Sequence, residues 1–517
     1  MITGTSELAV GLAALRQQPL ERVLETLHGQ LDEYAAASLE PQQRAALIEL
    51  IRAALPAEAA RAAKTFYADR PLPLAERERG MLDRVLAVYA ALQEQYRLCY
   101  AGFEEAPASP QRLQDMAGAL QRAIHTIVSR MIEGYRARQV LSPALWDALH
   151  HLVGQAHALG VGKNGVADEL NPNQVSSIDT TYGRAILLAA AQAGAMVPRM
   201  LDATLAMTAL LEPFIDCSWQ PVGEPEQPHS VTHTGRLRVL RTAGVSHLLN
   251  NARLGSALQA VSAKLAAGEP VASLDVLMID SRELSGLLAR LYRVWCGAGE
   301  IRAGGRERTE ERVAIESGGE AIYCLLSGNA FAMPRQFNVY SGSELPSLAP
   351  VTARGLPPIP ADGPWKLLDR SEQGLRAVRT LEGERLTRGM LMGIRSDPAL
   401  HLVAFSVGEI RWVQEERGVG IVAGVKLQPG KAEPVPARLI GGADGSQYQA
   451  VAPIFLLDQA AAPKMVVPLG WWKPDRVIDA LRDGAMVRLR MGELMLRGAD
   501  FEIGRFVKEK SGSGRAP

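Results

Sequence analysis

Residues 369–380 read DRSEQGLRAVRT, and the alternation that starts at Leu375 marks a strand, Leu375–Thr380, entered through a polar turn ending in glycine. Downstream, Gly389–Ile394, Leu402–Trp412, Gly420–Leu427 and Val435–Leu439 are further short strands broken by Gly and Pro, the spacing of a small barrel. Upstream, Arg312–Ile315 and Glu320–Leu326 flank Ser317-Gly318-Gly319 and predict a hairpin. The stretch Pro334–Pro364, rich in Pro, Gly and Ser, predicts a long loop before the turn. Residues 447–509 contain APIFLLD, KMVVPLGWW and MVRLRMGELMLRG and predict a second small β unit with one helix at Asp475–Leu481. The closing SGSGRAP reads as a disordered tail.

The first half has another texture. From Ser6 to Leu211 it is rich in Ala, Leu, Gln, Glu and Arg, all good helix formers. In MLDRVLAVYAALQEQYRLCY, Leu82, Val85, Leu86, Tyr89, Leu92 and Tyr96 fall on one helical face. Breaks are predicted at Pro56, Pro71, Pro73, Pro107, Pro110 and Pro143, the last behind a Ser142 cap. Between Cys217 and Gly299 a strand at Arg236–Arg241 precedes helices at Leu248–Ala267 and Ser281–Trp295, either a small α/β unit or the tail of the helical domain. The expected fold class is therefore α+β multidomain: a helical bundle or solenoid over 1–215, a mixed connector over 216–299, a small barrel over 300–445 and a β-rich extension over 446–510.

At 517 residues, with 47% hydrophobic and 22% charged residues, the chain is long enough for several folded domains and excludes bulk disorder. Fifty-six basic residues balance 56 acidic ones, so no global positive field invites polymeric nucleic acid or anionic membrane; an anion has to be held by a local cluster. Cys99, Cys217, Cys296 and Cys324 lack metal-ligand spacing, which predicts neither a zinc site nor a disulfide framework. The first residues lack a basic-then-apolar signal pattern, and the most apolar run, Ala185–Val197, is too short to span a bilayer, so the expected location is cytoplasmic.

Two short motifs frame the barrel. Arg308-Thr-Glu-Glu-Arg312 runs directly into the apolar Val313-Ala314-Ile315, and Asp369-Arg370-Ser371-Glu-Gln-Gly374 opens a later strand. This RxxxR and DxSxxG order, followed by VGEIRW and GVGIVAGVKL, resembles the PilZ domain, a family of bacterial receptors for cyclic di-GMP. The resemblance covers about residues 300–445. It implies a six-stranded barrel with a dinucleotide site of Arg308, Arg312, Asp369, Ser371 and Gly374, with Arg306 and Arg370 as further contacts and no catalytic residue, metal or cofactor.

The chemistry of the residues suits such a guest. A guanidinium is planar, permanently charged and fork-shaped, so it grips phosphate, meets guanine O6 and N7, or stacks on a base. Asp369 offers acceptors to guanine N–H groups, Ser371 a hydroxyl, and Gly374 room for a close approach. The gap from Arg312 to Asp369 is long for the family and demands an insertion, and Arg302 with Arg306 forms a second RxxxR in the same arm. The expectation is a non-catalytic effector in which ligand orders the Arg302–Arg312 arm and shifts the helical domain. That domain contacts a protein partner, in motility, pilus or secretion machinery, or forms a homo-oligomer. The rival expectation is a ligand-independent adaptor built on a degenerate barrel.

Other signals carry less. Gly160-Val-Gly-Lys163-Asn-Gly165 lacks the first glycine and the Ser/Thr of a phosphate loop and reads as a turn. His150 and His151 are adjacent on a helix and point apart, His229 and His233 read as loop residues, and Trp471-Trp472 reads as core.

Overall fold

The computed structural model describes residues 4–167, 175–221, 230–234, 237–242, 245–250, 252–271, 274, 279–296, 307–309, 311–334, 337, 364–395, 405–439, 450–457 and 463–509. The chain divides into two compact units, Met1–Arg70 with Leu74–Arg302, and Pro71–Pro73 with Ala303–Pro517.

The first unit is mainly helical: α1 (Thr5–Leu15), α2 (Leu20–Ala36), α3 (Pro41–Ala62), α4 (Glu76–Glu105), α5 (Pro110–Arg136), α6 (Pro143–Ala158), α7 (Ile178–Ala190) and α8 (Pro198–Leu210). The helical spacing of α4 does bury Leu82, Val85, Tyr89, Leu92 and Tyr96. The Ser109 and Ser142 hydroxyls accept from Arg112 N and Leu145 N, and each cap is followed by proline at the first helical position, so α5 and α6 start where the sequence puts them. Pro56 is a correction, because it lies inside α3 and ends nothing. It sits on the exposed face, and burial of Ile51, Leu55 and Ala59 outweighs the one backbone hydrogen bond it removes.

The mixed connector clusters with this unit. After a minimal pair of strands, β1 (Val166–Ala167) and β2 (Val175–Ser176), come β3 (Asp216–Pro221), β4 (Ser230–Thr234), β5 (Leu237–Thr242) and β6 (Val245–Asn250), forming an antiparallel sheet in the order β3-β6-β5-β4. Only β5 was legible in the sequence. The helix expected from Leu248 begins later, as α9 (Ala252–Ala266), because Leu248–Asn250 close β6, and His233 stands in β4 rather than in a loop. The following helix, α10 (Ser281–Trp295), has the expected bounds, and Trp295 Nε1 donates to the Leu187 carbonyl at 2.9 Å, fastening α10 to the core.

The second unit holds two closed six-stranded antiparallel barrels. The first contains β8 (Arg312–Ser317), β9 (Trp365–Ser371), β10 (Gly374–Arg379), β11 (Leu391–Arg395), β12 (Phe405–Glu416) and β13 (Gly420–Leu427), with the two-residue strand β7 (Glu307–Arg308) beside β9. The second contains β14 (Ala432–Leu439), β15 (Val451–Leu457), β16 (Lys464–Pro468), β17 (Val477–Arg482), β18 (Ala485–Arg497) and β19 (Phe501–Lys508). Around the first cylinder the order is β8-β9-β10-β13-β12-β11, and around the second β14-β15-β16-β19-β18-β17, the same circuit twice. Leu72 exchanges both backbone hydrogen bonds with Leu386 in this unit.

Three expectations change here. The hairpin predicted around Ser317-Gly318-Gly319 is a strand followed by a helix, α11 (Gly319–Ser327). Gly318 takes φ 81°, and Ile322, Leu325 and Leu326 then fall at helical spacing and are buried. The helix lies on β8 and β11 of one barrel and on β14 and β15 of the other. Asp475–Leu481, expected helical, turns into β17 because Ile478 and Ala480 alternate into the second core. Val435–Leu439, grouped with the first barrel by the sequence, belongs to β14 and pairs with β15 and β17 of the second. Trp471 and Trp472 are core residues of that barrel, as expected. Of the long loop before β9, all but Pro334, Phe337 and Pro364 lies outside the described residues, as does the SGSGRAP tail.

Candidate functional site

Strand β9 forms because Trp365 and Leu367 alternate into the barrel core, and a one-residue shift in its pairing with β10 between Leu367 and Asp369 then sets Asp369 opposite Arg376. The tight Ser371–Gly374 turn then fixes the register of β10, with Ser371 opposite Gly374, Leu375 opposite Arg370 and Arg376 opposite Asp369. On the other side of β9, β7 places Glu307 opposite Arg370 and Arg308 opposite Asp369, while β8 places Arg312 opposite Lys366. The arginine motif therefore runs antiparallel along the aspartate motif.

Arg308, Asp369, Arg370, Ser371 and Gly374 thus meet at one corner of the barrel. Arg312 stands three residues back along β9, roughly 10 Å away at strand spacing. Both motif arginines are exposed and neither forms an ion pair among the described residues. Arg306 and Arg302 lie outside the described residues.

The charges of the corner are arranged in pairs. Asp369, 7% exposed, meets Arg376 Nε at 2.8 Å through Oδ2. Arg370 reaches Glu307 at 2.9 Å and Glu311 at 3.5 Å. Arg370 is therefore committed to two carboxylates here. The Ser371 hydroxyl donates to the Gly374 carbonyl at 3.2 Å and closes the turn.

Gly374 has a structural reason to be glycine. A Cβ there would lie 2.5 Å from the Val425 carbonyl oxygen, so the missing side chain admits β13 against β10. Gly374→Ala is expected to cost about 1–3 kcal/mol through forced strand separation. A urea midpoint equal to wild type would refute that account.

The register also reveals residues that the motifs alone did not single out. Arg376 is opposite both Asp369 and Gly424, and Gly424 is opposite Trp412, so Arg308, Asp369, Arg376, Gly424 and Trp412 form one continuous row across five paired strands. The Trp412 indole lies over Gly424, its Cε2 and Nε1 2.3 Å from where a Cβ would stand. The row thus runs from an exposed guanidinium through a carboxylate to an aromatic plate. Hairpin arithmetic from the Ser371–Gly374 turn could have found Arg376, since it is as far past the turn as Asp369 is before it. Trp412 carried no comparable signal, because its neighbour in the row is 12 residues away in the chain.

The remaining sequence signals resolve locally. The Gly160–Gly165 segment is a turn, held where Asp179 N donates to the Gly162 carbonyl and His157 Nε2 meets Asp179 Oδ1 at 2.6 Å. His150 Nδ1 lies 3.2 Å from the Tyr182 hydroxyl and stacks against Trp146. No helix among the described residues is long and apolar enough to cross a membrane.

Residues 6–222 match the family model described as the N-terminal domain of the cyclic-di-GMP receptor FimW. The match covers less than half of the chain and ends before the barrels. No curated protein matches the chain.

Proposed function

We propose that this chain is a non-catalytic cyclic di-GMP receptor whose ligand sits on the row from Arg308 to Trp412 of the first barrel. Two independent lines support the reading. The helical region is similar to the N-terminal domain of a cyclic-di-GMP receptor, and the barrel, outside that match, carries both arginine and aspartate motifs of a PilZ-like site in cross-strand register. The second is the observation on which the proposal rests: Arg308 stands directly opposite Asp369.

Each side chain then has a task. Arg308 and Arg312, exposed and free of ion pairs among the described residues, close over the phosphates or the guanine O6/N7 edge. Asp369 accepts from guanine N–H donors and exchanges part of its contact with Arg376 for them, leaving Arg376 for a phosphate. Ser371 adds its hydroxyl. Trp412 supplies a flat surface for one base, with Arg376 beside it. Binding draws the chain before Glu307 onto the barrel, and the helical unit passes this change to a protein partner.

Titration of the full chain with cyclic di-GMP in a calorimeter tests the reading, with saturable binding expected in the micromolar range or tighter. Absence of heat and of saturation at about 100 μM ligand would overturn it. Base–aromatic stacking is worth roughly 1–3 kcal/mol, so Trp412→Ala should weaken binding about five- to 150-fold with little change in melting temperature. Unchanged affinity removes Trp412 from the site.

One observation favours a second reading, a ligand-independent adaptor. Asp369 and Arg370 are already neutralised by Arg376, Glu307 and Glu311, so the corner is electrostatically satisfied when empty. A flat titration together with capture of the same partner by wild type and by Arg308→Ala would establish that reading instead.

A further inference from the structure

The helical unit contains a cavity of about 260 Å³, lined by none of the residues assigned above. Ala63, Tyr135, Met196 and Leu201 give it an apolar wall, and Lys64, Arg136 and Arg138 bring cationic groups to it. We infer that this cavity is a binding site for a small organic anion: one carboxylate or phosphate head on a compact apolar body.

Arg138 carries the argument. It is only 7% exposed, yet it forms no ion pair with a carboxylate among the described residues; its Nη2 donates to the Arg70 carbonyl. Burial disfavours its charged form, and Asp69, at the rim of the cavity, is the only charged group among the described residues that opposes this effect. A buried guanidinium normally has a partner anion, because desolvation of an unmatched charge is costly. Arg138 also holds a left-handed backbone, φ 54°, which a non-glycine residue adopts only where its surroundings impose it.

Arg136 differs. It meets Glu133 at 2.6 Å and Asp202 at 3.8 Å, so its charge is already spoken for. Arg138 is thus a buried cation of the cavity that forms no ion pair among the described residues, and Lys64 is exposed beside it.

A second feature points the same way. Helix α8 opens on Pro198, and Val197 gives it no side-chain cap. Pro198, Leu201 and Asp202 line the cavity, so the positive end of α8 is turned to the space that Arg138 borders. Asp202 partly offsets this end through its contact with Arg136, but no described side chain replaces the missing cap. A guanidinium fork and an uncapped helix start converging on an apolar hollow fit a head-and-body anion. At about 260 Å³ the hollow lies below the ordinary range of drug-sized pockets, so a cyclic dinucleotide does not fit and the site is separate from the barrel row.

The test uses the full chain with three probes, benzoate, phenyl phosphate and inorganic phosphate, each followed by saturation-transfer NMR and calorimetry up to about 10 mM. Saturable binding of benzoate or phenyl phosphate is expected, with inorganic phosphate weaker because it leaves the apolar wall bare. Binding of inorganic phosphate alone would overturn the apolar-body part of the proposal. Arg138→Gln should weaken binding at least tenfold. Ala60→Phe, at an exposed position on the cavity rim, should block entry without removing any charge, and circular dichroism should show both variants folded. Arg308→Ala should bind these probes as wild type does, which separates this site from the dinucleotide site. No saturable binding of any probe, or equal affinity in wild type and Arg138→Gln, would overturn the inference.

Discussion

Replacing Arg308 and Arg312 together by alanine will remove cyclic di-GMP binding by the full chain, while the far-ultraviolet circular dichroism and the melting temperature stay at wild-type values. Both side chains are exposed and hold no ion pair among the described residues, so the fold loses little with them. A hydrogen bond to a charged group contributes roughly 1.5–3 kcal/mol, which is about ten- to a hundredfold in affinity for one contact and more for the pair. The single variants should separate. Arg308 stands opposite Asp369 and Arg312 opposite Lys366, so Arg308→Ala should be the more damaging for guanine and Arg312→Ala for phosphate. Wild-type affinity in the double variant would dissolve the site assignment even in a chain that binds the dinucleotide.

The largest effect on stability is expected at the other barrel. Arg438 of β14 and Asp479 of β17 face each other in register and meet at 2.8 Å, 5% and 3% exposed. The Arg438 guanidinium also lies over the Phe337 ring at 5.2 Å and donates to the Phe337 carbonyl at 2.6 Å. Asp479→Ala leaves that guanidinium buried without its carboxylate, a change that typically costs about 3–5 kcal/mol. Chemical denaturation should show the loss as a lower midpoint. Asp479→Ala combined with Arg438→Met, which removes both charges, should recover much of it. If the double variant is no more stable than the single one, the ion pair is not what holds the β14–β17 seam.

How much of this was legible depended on whether the signal was local. Helix α4 could be read from its apolar period and the start of α6 from Ser142-Pro143, because both signals lie within the helix itself. Pro56 misled because a proline's effect on a helix depends on what the opposite face buries, which no dipeptide reveals. Gly319–Ser327 looked like a hairpin arm because a glycine pair precedes it and its apolar residues suit either structure over nine positions. What decided it was the surface waiting for Ile322: Gly393 of β11 has no side chain, and a Cβ there would lie 2.5 Å from Ile322 Cγ2.

The site divided along the same line. The two motifs could be quoted from the sequence, and the register brings Arg308, Asp369, Ser371 and Gly374 to one corner. Arg376 was within reach of the turn's hairpin register, but Trp412 was not, because membership of a cross-strand row is a property of pairing rather than of neighbours in the chain. The sequence assigned Gly374 to ligand approach, whereas its immediate physical reason is the Val425 carbonyl of the next strand.

The helix that lies across both cylinders has a mechanical consequence. With α11 seated on β8, β11, β14 and β15, the two barrels are keyed together like halves of a coupling by a shared pin. A dinucleotide closing on the rim of one cannot be announced by tilting the other, since such a tilt would tear Ile322, Leu325 and Leu326 from their seats. Whatever acts on that rim therefore meets a single anvil, and the second cylinder responds only by moving together with the first.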